Sequence, residues 1–126
     1  MKFLGRRLVK SEDLNPAECL FGGTLLRWLD EEAYIYACCQ LDQSKIVTAS
    51  MTEINFRYPS VLGDIIEFGM KTQSVGRSSI AFSANVRNKV TKKTVLEVEK
   101  IVMVLVDDHG KATPHGKTLQ ELAAQG

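Results

Sequence analysis

The chain has 126 residues, 44% hydrophobic and 25% charged. That suits one soluble globular domain, which at this size buries only about two-thirds of its unfolded surface. Lys and Arg number 16 against 15 Asp and Glu, so the chain lacks the basic surplus that duplex nucleic acid demands, and no nucleic-acid partner is expected. No stretch approaches the ~18 consecutive apolar residues of a membrane span.

The start, Met1 to Arg7, lacks the apolar core of a signal peptide. The three cysteines do not pair evenly, and the adjacent Cys38 and Cys39 fit no zinc spacing. Reduced thiols, no metal and a cytoplasmic location are the expectation.

Residues 2–10 mix apolar and basic side chains and read as a short strand. Ser11 to Leu20 carries Ser, Asp, Asn and Pro, the composition of a loop; Pro16 holds Asn15 in extended geometry. A helix is predicted from near Gly22 to near Gln40, because Leu25, Leu26, Leu29, Ala33 and Tyr36 or Ala37 recur at spacings of three and four. Its first turn holds Gly22 and Gly23, poor helix formers. Glycines at that point imply that something approaches the backbone closely.

From Ile46 the period changes to two and runs to about Arg57, with a shift of face near Glu53 and Ile54. Tyr58-Pro59-Ser60 ends this strand, and Leu62-Gly63-Asp64 turns the chain. Ile65 to Val75 is the next strand, and Gly76-Arg77 a tight turn. Ser78 to Arg87 alternates cleanly, with Ile80, Phe82, Ala84 and Val86 on one face. A polar connection, Asn88 to Lys93, leads to a long Val- and Ile-rich strand from Thr94 to Val106. Asp107 to Lys111 turns the chain again. The Ala- and Gln-rich tail, Thr118 to Gly126, has a composition that suits a helix. Residues 1–126 are therefore expected to form one α+β domain, a long central helix against a curved antiparallel sheet of about five strands. The short connections favour a meander.

The helix start is the first candidate for chemistry. Its backbone N–H groups lack partners and carry partial positive charge. Gly22 and Gly23 would let a substrate oxygen reach them, an oxyanion-hole arrangement suited to acyl transfer. Asp30 lies eight residues beyond Gly22, ~12 Å along the axis. One copy of the helix cannot join them; two antiparallel helices from different copies can. Asn15, in the loop before the helix, both donates and accepts hydrogen bonds and would orient a water or a carbonyl.

Each of these has a plainer reading alone: a tight turn, a solvated acidic run with Glu31 and Glu32, and a turn residue before proline. His109 and His115 lie in the polar C-terminal stretch, outside any nucleophile-triad context. Cys19 has no evident base. No P-loop or dinucleotide fingerprint occurs. Lys71, Arg77, Arg87, Lys89, Lys92 and Lys93 cluster at strand ends and turns, where charges are more often simply solvated than bound to phosphates.

Taken together these residues resemble a known family. Asn15-Pro16-Ala17-Glu18-Cys19-Leu20-Phe21-Gly22-Gly23, followed by Thr24 to Asp30, is similar to the helix entry of hot-dog-fold acyl-CoA thioesterases. This is the acyl-CoA hydrolase group that includes the bacterial YciA-type and mammalian cytosolic enzymes. Val47 to Ser50 and Ile54 to Asp64 resemble a second family segment, a strand ending in Phe, two residues, Pro and then Gly-Asp. Val106 to Lys111 resembles a third. The matches run over about residues 8–115.

The resemblance implies a hot-dog fold and hydrolysis of acyl-CoA to free acid and CoA. Asp30 would act as general base or, alternatively, as nucleophile, Asn15 would sit across a dimer interface from the partner's acid, and Gly23 beside Gly22 would polarise the thioester carbonyl. Gly76, Arg77, Ser78 and Ser79 fall where relatives touch CoA. It also implies dimers joined sheet edge to edge, often paired further into tetramers or hexamers. No cofactor is implied beyond the CoA of the substrate. The sequence departs from the pattern at Glu18, where many relatives carry Gly, and at Glu31 and Glu32; these changes bear on substrate preference. Two other functions stay open: a non-catalytic acyl-CoA-binding sensor or oligomerising module, and a hot-dog hydratase or dehydratase. The latter chemistry uses a His with an acid on the central helix, and residues 12–40 contain no His.

Overall fold

The computed structural model describes residues 1–125. The elements are β1 (Lys2–Leu8), α1 (Gly22–Leu41), β2 (Ile46–Phe56), β3 (Ile65–Val75), β4 (Ser79–Asn88), β5 (Thr94–Leu105) and α2 (Leu119–Gln125). A single 3-10 turn, Ser11–Asp13, interrupts the first loop. The tail expected to be helical is α2; Gly126 lies outside the described residues.

The five strands form one sheet, ordered β1-β3-β4-β5-β2, and every neighbouring pair is antiparallel. The expected meander holds for β3, β4 and β5. It fails for β2, which lies beyond β5 at the far edge instead of beside β3. The reason is in the connection over residues 57–64, which crosses an end of the sheet instead of making a hairpin turn. Leu20 N–H donates to Ser60 O at 2.8 Å, Gly63 N–H to Val9 O at 2.9 Å, and Val9 N–H to Asp64 O at 2.9 Å. Gly63 takes φ +86° there, a backbone that side-chain-bearing residues rarely adopt. In β2 the register slips at Ala49, between Thr48 and Ser50, and Glu53, near the expected change of face, has φ +57°.

The core forms between one face of α1 and the sheet. Leu25, Trp28, Leu29, Ala33, Ala37 and Leu41 are buried along the helix. They meet Ile66, Phe68, Phe82, Leu96, Ile101 and Met103 from the strands. Ile80, Phe82, Ala84 and Val86 share the buried face of β4, as their alternation predicts.

Glu67 on β3 faces away from this core, since Ile66 and Phe68 beside it point in, yet it is only 2% exposed. Its cross-strand neighbours are Arg6 on β1 and Arg87 on β4. Arg87 Nε donates to its carboxylate at 2.7 Å and Arg6 Nε at 3.2 Å, with Lys92 Nζ 3.7 Å away. Arg87 also lies over the Phe3 ring, 3.7 Å from its centroid. Arg87 and Lys92 therefore serve a buried carboxylate. Burial pushes Glu67 up, but the Arg87 and Arg6 hydrogen bonds and the cationic charge outweigh it and hold the carboxyl below its ordinary value.

A carboxyl held low in the fold contributes stability that is complete above its unfolded-chain pKa. That contribution is lost as pH falls through the depressed folded value. Glu67→Gln should lower stability at neutral pH by about 1–3 kcal/mol. Urea titrations at neutral and acidic pH should show the gap between variant and wild type closing in acid.

Candidate active site

Asn15 is fixed by its own loop. Its side-chain oxygen accepts from Ala17 N–H at 2.9 Å and Cys19 N–H at 3.2 Å, while Asn15 N–H donates to Cys19 O at 2.8 Å. The oxygen is thus occupied in closing the loop, and the amide nitrogen is the group left to face a ligand. Glu18 completes this loop at φ +63°, a left-handed backbone that favours Gly over a side-chain-bearing residue. Leu14 and Leu20 bridge the two ends of the loop, and the chain enters α1 directly afterwards.

The entry has no side-chain cap; the N-cap residue is Phe21. The first helical N–H to find a partner is that of Leu25, which donates to Phe21 O at 3.0 Å. The N–H groups of Gly22, Gly23 and Thr24 point out of the helix end unpaired by its geometry. The two glycines differ. A side-chain carbon at Gly22 would come to 3.4 Å from the Phe56 ring, whereas one at Gly23 would meet nothing within 4 Å. Packing inside this chain therefore does not explain Gly23, and its bare backbone stays open. Phe21, Phe56, Tyr58, Val61 and Leu62 are exposed in the segments around this end and the crossing connection.

Asp30 is exposed on α1, and Thr48 Oγ1 of β2 donates to its Oδ1 at 2.6 Å. Thr48 escaped the sequence reading; only the pairing of helix flank with strand brings it to the acid. At about 100° per residue, Asp30 lies on the flank of α1 toward β2, and Glu32 on the opposite flank toward β1. Arg7 on β1 pairs with Glu31 at 3.0 Å and with Glu32 at 3.7 Å. A cavity of about 590 Å³ opens on that β1 side, lined in part by Gly5, Glu32, Ile35, Cys39, Met70 and Leu122. It is separated from Asp30 by the thickness of the helix.

Within one chain, then, Asn15 and Gly23 sit at the start of α1, and Asp30 lies two turns further on. The Gly76–Ser79 bend lies at the β3–β4 connection, near the start of β2, because Ser79 pairs with Val104 and Val47 pairs with the same residue from the other side. Of the histidines, His109 is exposed in the turn after β5, and His115 is buried with its ring against Ser79. Neither adjoins Asp30. Cys19 lies beside Asn15, its sulfur 3.6 Å from the amide oxygen. Among the described residues no cluster of His, Cys, Asp and Glu could hold a metal ion, and no helix is long and apolar enough to cross a membrane.

A family model described as the thioesterase superfamily matches residues 18–95, from the Asn15 loop into β5. The chain belongs to the thioesterase superfamily. Solved structures place it among hot-dog folds. A hexameric thioesterase from Yersinia pestis superposes with TM-score 0.82 at 26% identity, over 90% of this chain and 93% of that one. A hexameric acyl-CoA thioesterase in its apo form is 31% identical, with TM-score 0.77, over 87% and 72%. A hexameric hot-dog thioesterase of Campylobacter jejuni is 29% identical, with TM-score 0.77, over 95% and 92%. No curated protein matches the chain. This superfamily member keeps the helix of its fold, and the family match begins at Glu18, the strained residue of the loop.

The left-handed backbone at Glu18 costs a side-chain-bearing residue roughly 1 kcal/mol. Glu18→Gly should recover most of it, shifting the urea midpoint upward while the loop keeps its two Asn15 bonds.

Proposed function

We propose that this thioesterase hydrolyses acyl-CoA, with each active site assembled from two copies of the chain, residues 1–126 acting as one catalytic domain. The observation that carries the reading is Asp30. It is an exposed carboxylate whose hydrogen-bond partner is an uncharged hydroxyl, on the helix flank above an unpaired strand edge. The acyl-CoA substrate class comes from the apo hexameric thioesterase that resembles this chain.

The case for two copies rests on β2. It is an edge strand of 11 residues with a single charged side chain, Glu53, and no proline. Val47, Ile54 and Phe56 along it are exposed. A long apolar edge of this kind is a template for pairing. Pairing β2 with its copy about a two-fold axis would be isologous and would set two α1 helices antiparallel on one continuous sheet. Asp30 of one copy would then approach the helix start of the other, which a single chain cannot achieve. The hexameric state of the relatives is in line with further pairing of such dimers.

In the proposed reaction Asp30 takes a proton from a water molecule as the water oxygen attacks the thioester carbon. Thr48 holds the carboxylate in place, and the amide of Asn15 from the other copy positions the water or the carbonyl. The carbonyl oxygen gains negative charge facing the N–H of Gly23, where the helix end stabilises it. Collapse of the tetrahedral intermediate breaks the C–S bond. CoA leaves as a thiolate, which is then protonated, and the acid is released. Gly22 lets the helix start seat against Phe56 beside the open backbone of Gly23, and the Gly76–Ser79 bend receives part of the coenzyme.

Release of CoA thiol from short, long and aryl acyl-CoAs tests this. Asp30→Ala should lower kcat about 10²–10⁴-fold, and Thr48→Val about 10-fold or more, with circular dichroism and oligomer size unchanged. Wild type that binds CoA but turns over none of the panel would make the protein a sensor; full activity in a folded Asp30→Ala variant would remove the acid from the mechanism.

A further inference from the structure

The segment after β5 contributes nothing to the reaction proposed above, yet it buries a histidine. His115 is 7% exposed. Its Nδ1 accepts from Lys117 N–H at 3.0 Å, so Nε2 carries the proton. Nε2 donates to Ser79 O at 2.9 Å, and the backbone N–H of His115 donates to Arg77 O at 3.2 Å. From the other side Leu105 N–H donates to Ser78 O at 2.8 Å, and Gly76 N–H closes the bend onto Ser79 O at 3.0 Å.

Three successive carbonyls, of Arg77, Ser78 and Ser79, are thereby drawn toward β5 and the C-terminal segment. Gly76 admits this tight closure, because a side-chain carbon there would stand 2.4 Å from Ser79 Oγ. The opposite side of the bend is left as a donor surface. The N–H groups of Arg77 and Ser78 have no acceptor among the described residues, and the Arg77 guanidinium is exposed and forms no ion pair among them. Unpaired N–H groups beside a free guanidinium suit a phosphate group.

We propose that His115 is a positioning residue for coenzyme binding: it holds the carbonyls of Arg77 and Ser79 inward and so fixes the outward face that receives a phosphate of CoA. The inference rests on the reading that CoA meets this bend. His115 touches no substrate and acts only through Arg77 and Ser79.

Two substitutions separate the ring's nitrogens. His115→Gln places an amide N–H where Nε2 stands and keeps the bond to Ser79 O. His115→Asn keeps an acceptor for Lys117 N–H and loses the bond to Ser79. His115→Asn should raise the Kd for free CoA and the KM for acyl-CoA about 5–10-fold, with kcat within about twofold, and His115→Gln should return both near wild type. Arg77→Ala is the control on the underlying reading. If it leaves the Kd for CoA unchanged, the coenzyme does not meet the bend and the inference falls with that reading. If Arg77→Ala weakens CoA but His115→Asn does not, the coenzyme site stands and the role of His115 is overturned. A loss of thermal stability in both His115 variants with KM unchanged would likewise reduce His115 to a fold residue.

Discussion

Everything in this molecule follows from the burial of one stripe of α1. Leu25, Trp28, Leu29, Ala33, Ala37 and Leu41 are each no more than 4% exposed. Rotating the helix would take that whole stripe out of contact with the sheet, at roughly 1.5–3 kcal/mol for each large side chain. The orientation is therefore fixed, and with it the destination of every other residue on the helix. Asp30 must face the β2 edge, Glu32 must face the β1 edge, and Gly22 and Gly23 must present their N–H groups at the end where the crossing connection lies. The placement of the candidate residues is a by-product of core packing: no polar interaction is needed to aim Asp30, only to hold its last torsion, which the Thr48 hydroxyl does.

The same constraint separates the parts. A helix long enough to bury the sheet's concave face keeps its unpaired N–H groups two turns from the acid on its flank. A single chain that joined them would have to break the helix between Gly23 and Asp30 and expose Leu25, Trp28 and Leu29. Association of two intact helices avoids that loss. The sheet order favours it as well, since sending β2 to the far edge places an apolar, unpaired strand directly below Asp30. The crossing over residues 57–64, which displaced β2 from the expected meander, is thus what leaves β2 at an edge for the pairing proposed above.

What the sequence made legible was whatever is written in local period or local chemistry. The helix and all five strands were readable because α1 repeats at three and four and β4 alternates residue by residue. The tight bend at Gly76 and the special backbone before α1 were readable because Gly, Asn and Pro report on torsions directly. The place of β2 was not, since its partner β5 begins 38 residues after β2 ends, and nothing in either strand names the other. Thr48 was invisible for the same reason: one threonine in a strand of alternating Thr and Ser becomes notable only once the strand lies beneath the helix. Glu67 looked like an ordinary acid in a strand. Only the register, which sets Arg6 and Arg87 on either side of it, shows why it can be buried. Arg87 and Lys92, read among loose surface cations, turn out to be the balance of that charge.

The run Asp30-Glu31-Glu32 shows how structure sorts residues that composition treats alike. Successive positions on a helix fan out by about 100°, so three neighbouring acids face three surroundings. Glu31 projects to solvent and bonds Arg27 and Arg7. Glu32 folds down over β1, where Gly5 makes space for it; a side-chain carbon at Gly5 would fall 1.5 Å from its carboxylate oxygen. Arg7, which also lies 5.7 Å from the Trp28 ring centroid, ties both acids to the β1 side. Their charge is largely neutralised by these pairings. Asp30 is left as the acid of the three with no cation beside it among the described residues. A carboxylate gripped by arginine has lone pairs committed to that pairing; one held only by a hydroxyl keeps a lone pair free for a water. Glu31 and Glu32 are therefore tied to the β1 side of the helix, away from Asp30 and from the β2 edge where a second copy is proposed to complete the site.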